Sequence, residues 1–302
     1  MNRMKNSNRA YILAILLLFS YFNFLKSQEE NPLIRFGLIA DIQYCDCEPR
    51  INRFYRQSLE KLDTCIADLN SKNVQFTVNL GDLIDRAPED LTPILLRLNK
   101  LNKKVYNTTG NHDYHGFTDN KVLYKRLNMP ADYYAFKKKG WRFIVLNTND
   151  IASYSKIKGT PKEEELTCMH KRILSENRKN GQEWNGGIGK KQMDWLQTQL
   201  DNAQKKNENV IIFTHHPIYA AEGLTALNDH EILDLLTQYS CIKVIFSGHH
   251  HEGAFGEYKN IPFVTIEGMV ETETNAYGIV DIYSDKIILT GKGRSRSYLF
   301  NL

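Results

Sequence analysis

Apolar positions along this chain follow two rhythms. Short unbroken runs rich in branched and aromatic side chains occupy "LIRFGLIAD" (33–41), "VQFTVNLGD" (74–82), "KVYNTTGNHD" (104–113), "NVIIFTHHP" (209–217) and "IKVIFSGHH" (242–250), and each reads as a buried strand running into a polar loop. Between them, 55–72, 90–102, 189–205 and 229–240 repeat apolar residues every three or four positions, which predicts helices packed by one face. The stretch 133–150 reads as a hairpin turning at "KKKG", and the tail segments "IPFVTIEG", "AYGIVDIYS" and "KIILTGKG" read as three further strands without helices. The polar stretch 151–188 shows neither rhythm and is expected to be an irregular surface insertion. Alternating βα units with a β-only end predict an α/β fold of two packed sheets flanked by helices, with ligands bound where strands end.

The N-terminus stands apart. Arg3, Lys5 and Arg9 precede an apolar run from Ala10 to Leu25, which exits through Lys26, Ser27 and Gln28. This order reads as a secretory signal over residues 1–27, or as an uncleaved anchor, because the run lacks an A-x-A site. Either way the domain at 33–302 is expected outside the cytoplasm, periplasmic or extracellular. The segment carries four basic residues and no acid, so without it the formal charge of +4 falls to about zero. The apparent basicity belongs to the export signal, and no charge remains to argue for nucleic-acid binding. Five cysteines leave at least one thiol unpaired, and Cys45 and Cys47 are expected to be too close for an ordinary bridge. A soft-metal site at that C-x-C is the alternative.

The chemistry is positional. The predicted strands end in residues able to hold a metal: Asp41 and Gln43, then Asp82, Asn111 with His112, His215 with His216, and His249 to His251. Of nine histidines in the chain, five fall in the last two clusters. Carboxylates, carboxamides and imidazoles without a thiolate form an oxygen–nitrogen donor set suited to Mn²⁺, Fe or Zn²⁺, with Mg²⁺ also open. A carboxylate able to bridge, Asp82, invites two ions roughly 3.5–4 Å apart, the spacing that clamps an in-line phosphoryl displacement.

These residues resemble a known family. Asp41-x-Gln43, Gly81-Asp82-x-x-Asp85, Gly110-Asn111-His112-Asp113, His215 and Gly248-His249-x-His251 are similar to the ordered signature of the calcineurin-like metallophosphoesterases. Gln43 in place of the usual histidine, with "FGLIADIQY", "NGGIGKKQMDWL", "IEGMVET" and "GKGR", looks most like the manganese-dependent ADP-ribose/CDP-alcohol diphosphatases. The resemblance runs from about Ile34 to Arg296, weakest after the second block and in 151–180. It implies a four-layer αββα sandwich holding two divalent ions, above all Mn²⁺. Asp41, Gln43, Asp82 and His251 would hold one ion and Asp82, Asn111, His215 and His249 the other, with His250 turned away. It further implies that water activated between the ions attacks phosphorus, that His112 acts on the transition state or leaving phosphate, and that Asp85 orients His112. A nucleotide such as ADP-ribose or a CDP-alcohol would be the small-molecule substrate. A broader phosphodiesterase or phosphomonoesterase, or a scaffold without catalysis, are the alternatives.

Other residues keep two readings. Arg86 is a phosphate contact or a surface charge, and His216 is expected to pack rather than ligate. His115, His170 and His230 are expected at the surface. Tyr44, Phe54, Tyr114 and Tyr219 are candidates for stacking on a base, or else core and rim. "NGG" at 185–187 is an active-site wall or turn chemistry.

Overall fold

The computed structural model describes residues 31–302. Residues 1–27, expected to be an export signal or anchor, lie outside the described residues. Two six-stranded sheets form the centre. In the first, β1 (Ile34–Ile39) runs parallel to β2 (Thr77–Asn79), and β2 runs parallel to β3 (Val105–Asn107). On its other side β1 pairs antiparallel with β10 (Ala276–Ile282), which leads to β11 (Lys286–Gly293) and β12 (Tyr298–Asn301). The second sheet has the parallel strands β5 (Trp141–Val145), β6 (Asn209–Phe213), β7 (Ile242–Ser247) and β9 (Ile261–Thr265). Antiparallel β4 (Tyr134–Lys138) and β8 (Ala254–Tyr258) close its two edges.

Alternation along the strands explains the layers. On β5, β6 and β7, Phe143, Phe213 and Phe246 point between the sheets, while Ile144, Ile212 and Ile245 point the other way. The outward set meets Leu196 and Leu200 of α5 (Lys190–Lys205) and Ile232 and Leu236 of α6 (Asp229–Leu236). Leu62 and Leu69 of α1 (Ser58–Ser71) and Ile94 of α2 (Leu91–Leu98) belong to the core that includes the first sheet. The result is the expected four-layer arrangement, helix, sheet, sheet, helix.

Phe36 of β1 is the centre of the inter-sheet core. Its ring meets Phe143, Phe213 and Phe246 edge-on at 6.0, 5.8 and 6.5 Å and stacks on Phe76 at 4.9 Å. Edge-to-face pairs place the positive ring edge on a negative face and add to the area buried.

Several expectations need correction. The stretch 151–188 contains α4 (Pro161–Ser175), begun by a proline in the first turn and by Glu163 and Glu164 near the helix's positive end. Its apolar stripe is thin, since Ile173 is its one buried residue, and the rhythm was correspondingly faint. A short α3 (Asn120–Arg126), capped by the Asp119 side chain on the Lys121 amide, and the edge strands β8 and β12 lie outside the predicted elements. The helix expected at 90–102 stops at Leu98. Cys45 and Cys47 are joined in a disulfide rather than free or metal-bound, because a bend brings their Cα atoms to 5.3 Å. The pair packs with Tyr55 and Val270. Cys65 is free and buried, Cys168 free and exposed, and Cys241 free and half-buried.

Replacing Phe36 with alanine removes the contact on which four rings converge. Urea denaturation is expected to show a loss of about 3–5 kcal/mol, the range for a fully buried phenylalanine.

Candidate active site

β1, β2 and β3 of the first sheet and β6 and β7 of the second all stop at one end of the sandwich, and the candidate donors follow within a few residues. Four of them sit in the left-handed backbone region despite carrying side chains: Asp41 (φ 53°), Gln43 (φ 39°), Asp82 (φ 55°) and His249 (φ 68°). Such residues cost about 1–3 kcal/mol each and persist where surrounding structure enforces them. Here the enforcement is visible. Asp113 accepts bonds from the amides of Asp82, Leu83 and Gly110 at 2.9, 2.8 and 2.8 Å, tying the turn after β2 to the turn after β3.

All seven candidate metal residues meet. Gln43 Nε2 donates to Asp82 Oδ2 at 3.1 Å, and His215 Nε2 lies 3.5 Å from the same oxygen and 3.1 Å from Asn111 Oδ1. His249 Nδ1 is 3.2 Å from His215 Nε2, and His251 Nε2 is 3.6 Å from Asp41 Oδ1. Oxygens of Asp41 and Asp82 and a nitrogen of His215 all fall within 4.8 Å of one another. Asp41, Asp82 and His215 are at most 1% exposed.

The donor chemistry fits cations. His215 Nδ1 gives its hydrogen to the Leu80 carbonyl at 2.8 Å, so Nε2 carries a bare lone pair. His249 Nε2 gives its hydrogen to Asn185 Oδ1 at 3.0 Å, which leaves Nδ1 bare. The Asn185 orientation is fixed because its Nδ2 donates to the carbonyls of Asn180 and Gly223 at 2.8 and 2.9 Å. Two bare lone pairs therefore face each other at 3.2 Å, beside two buried carboxylates. Gln43 Oε1 is buried without a hydrogen-bond donor. Burial holds His249 neutral, well below the usual imidazole range, with its neighbouring imidazoles adding to the effect. A positive ion is the one species that would satisfy these oxygen and nitrogen donors together.

His112 stands at the edge of this cluster. Its amide donates to Asp82 Oδ1 at 2.8 Å, and its Nδ1 meets the Asp85 carbonyl at 2.9 Å and the Asp85 carboxylate at 3.2 Å. Among the described residues Nε2 has no hydrogen-bond partner, and the residue lines the cleft. Burial works against its charge, yet the Asp82 carboxylate and the Asp85 bonds outweigh it and push the pKa up to about 9.

The family model for calcineurin-like phosphoesterases matches residues 34–253. The chain belongs to that family. It is a metallophosphoesterase, and its similar proteins sharpen the picture. A manganese-dependent ADP-ribose/CDP-alcohol diphosphatase of Oryza sativa subsp. japonica is 29% identical over 89% of this chain and 94% of its own length. Its counterpart in Homo sapiens is 29% identical over 91% and 94%. A crystal structure of a dimetal phosphatase from Danio rerio superposes with a TM-score of 0.82 at 24% identity, covering 90% of this chain and 99% of the other.

The phosphoesterase cleft above the donors has a volume of about 640 Å³. Besides Gln43, Asp82, Asn111, His112, His249 and His251, its walls carry Arg50, Arg53, Trp184, Leu224, His250 and Glu252. Arg50 and Arg53 lie in the 45–55 loop and Trp184 in the 151–188 stretch, the segments where the sequence leads one to expect the substrate pocket, although nothing in their local spacing marks the individual residues. Trp184 is 48% exposed, large for an indole, and stands beside "NGG", whose Asn185 reaches His249. That motif thus supports His249 through Asn185, while none of its three residues lines the cleft. His216 brings a nitrogen near His215 and His249. Both of its nitrogens are nonetheless taken, by Thr148 Oγ1 at 2.9 Å and the Trp184 carbonyl at 3.0 Å, so it packs. His250, expected to turn away, lines the rim of the cleft, and among the described residues its ring makes no hydrogen bond to a candidate metal residue. Arg86 binds Asp85 at 2.8 Å and lies over the Tyr55 ring at 5.8 Å, so it serves the Asp85 side of the site rather than the cleft. Tyr114 is fully buried and bonded to Thr109 and Tyr124, and Tyr219 packs on Tyr258 and Phe263. Neither of these, nor Tyr44 or Phe54, lines the cleft. His115 and His230 are exposed, and His170 is half-buried.

Gly110 tests the stitching of the phosphoesterase turns. A methyl group there would overlap the Asp82 carboxylate and amide. Gly110→Ala is expected to lower stability by about 1–3 kcal/mol, the range for overpacking, and to remove Mn²⁺ binding measured by calorimetry.

Proposed function

We propose that this phosphoesterase uses two divalent ions, best supplied as Mn²⁺, to hydrolyse the pyrophosphate bond of nucleoside-diphosphate compounds of the ADP-ribose and CDP-alcohol type. The observation that carries the metal reading is the pair of bare imidazole lone pairs facing each other beside Asp41 and Asp82. The names of the rice and human relatives support the substrate class. Asp41, Gln43, Asp82 and His251 are assigned to one ion and Asp82, Asn111, His215 and His249 to the other, with Asp82 shared. Oxygen and nitrogen donors without sulfur suit Mn²⁺.

Bound there, the ions supply positive charge to the reacting oxygens and acidify a water towards neutrality. The chain's own residues complete the reaction. Water forms the new P–O bond as the bridging P–O bond breaks, and His112 delivers a proton from Nε2 to the departing phosphate. Asp85 fixes the ring through Nδ1, so that Nε2 faces the cleft. Arg50 and Arg53 add positive charge along the wall, and Trp184 offers a flat apolar face for a base or sugar.

The reading extends to an exported enzyme. The basic, apolar, polar order of residues 1–27 supports it, and so does the Cys45–Cys47 bond, since such bonds persist in oxidising compartments.

A panel of ADP-ribose, CDP-choline, bis-nitrophenyl phosphate and nitrophenyl phosphate, each with Mn²⁺, Mg²⁺ and Zn²⁺, tests the substrate class. ADP-ribose and CDP-choline with Mn²⁺ should lead; preference for the simple monoester would defeat the diphosphatase reading. His112→Ala should lower kcat by about 10²–10⁴-fold with Mn²⁺ retained. Because His112 acts as the proton donor, activity should fall on an alkaline limb, and the alanine variant should lose that limb. Trp184→Ala should raise KM for ADP-ribose about tenfold, within the stacking range of 1–3 kcal/mol, and leave nitrophenyl phosphate nearly unchanged.

A further inference from the structure

The three imidazoles assigned to the ions are held from behind by three different acceptors. His215 is held by the Leu80 carbonyl at 2.8 Å, His249 by the Asn185 amide oxygen at 3.0 Å, and His251 by Glu271 Oε1 at 2.8 Å. Glu271 is the charged member of that set. It also accepts from Arg53 Nε at 3.2 Å, and the backbone of Arg53 bridges to it. Asn185 in turn is clamped by Asn180 and Gly223. Each acceptor thus selects one tautomer and aims the other ring nitrogen inward.

We propose that Glu271 and Asn185 are positioning residues that set the two cation affinities separately, Glu271 through His251 and Asn185 through His249. The proposal rests on the two-ion reading above. Its physical content is asymmetry. The ion at Asp41 and Gln43 has a neutral carboxamide among its donors, and a carboxylate behind His251 makes that ring a stronger donor. The ion at Asn111 and His215 has two imidazoles, and a neutral amide behind His249 suffices to orient it. Losing a partner behind a ligand histidine typically weakens metal binding 10–100-fold.

Metal-free full-length protein titrated with Mn²⁺, with the free ion followed by electron paramagnetic resonance, tests this. The parent should bind two ions. Glu271→Ala should weaken one of them about 10–100-fold and Asn185→Ala the other, with Glu271→Gln between parent and Glu271→Ala. On a Gln43→Ala background, adding Glu271→Ala should weaken that same ion further and spare the second, whereas adding Asn185→Ala should loosen the second. Arg53→Ala, which breaks the ion pair but spares the His251 bond, should leave both affinities within about threefold of the parent, by the same scale. If Glu271→Ala destabilises the metal-free fold in thermal melts, Glu271→Gln decides the point, since it keeps an acceptor and loses only charge. Both variants weakening both ions alike, or neither weakening any, would overturn the positioning roles. A parent that binds fewer than two Mn²⁺ would overturn the two-ion reading itself, and the inference with it.

Discussion

Two carboxylates, Asp41 and Asp82, lie out of water at the ends of adjacent parallel strands, and among the described residues neither is paired with a lysine or arginine. Burying charge in that way costs several kcal/mol per group unless an opposite charge is close. Everything around them is arranged for that opposite charge to arrive from solution. The imidazoles opposite have their outer hydrogens tied off, Gln43 presents an unmatched oxygen, and the cleft opens directly above. The site is an electrostatic debt written into the fold, and divalent cations are the natural way to settle it.

The same constraint accounts for the backbone. A strand ends with its side chains alternating between faces, which would scatter donors across two layers. Left-handed residues at Asp41, Asp82 and His249 reverse the chain at once and aim consecutive groups at one point. Asp113 then fastens two of those turns by collecting their amides. Local strain is thus matched by hydrogen bonds and by the wide aromatic core behind it.

The parts legible in the sequence were those whose meaning is local. Branched residues in short runs marked strands β1, β6 and β7, and metal-competent residues just past each run marked the donors, because residue type and position along one segment suffice for both. What stayed hidden depends on distant neighbours. Glu271 is an ordinary acid until β10 and the loop before it bring it to His251, and Trp184 is an ordinary indole until the turn at 180–188 sets it over the cleft. The C-x-C bridge depends on a bend, and α4 on capping signals in a segment with almost no apolar stripe. His250 and His216 show the converse. Both look like donors by type, but only their surroundings reveal one at the rim and one held by Thr148 and Trp184.

Asp41, Asp82 and Asn111 follow strands of one sheet, whereas His215, His249 and His251 follow strands of the other. Ions gripped by both groups would act as rivets through the sandwich, pinning the two layers at the end opposite to nothing but a few loops. Sliding of one layer past the other, the softest motion open to stacked sheets, would then be blocked at its most damaging place. The catalyst and the fastening would be one object.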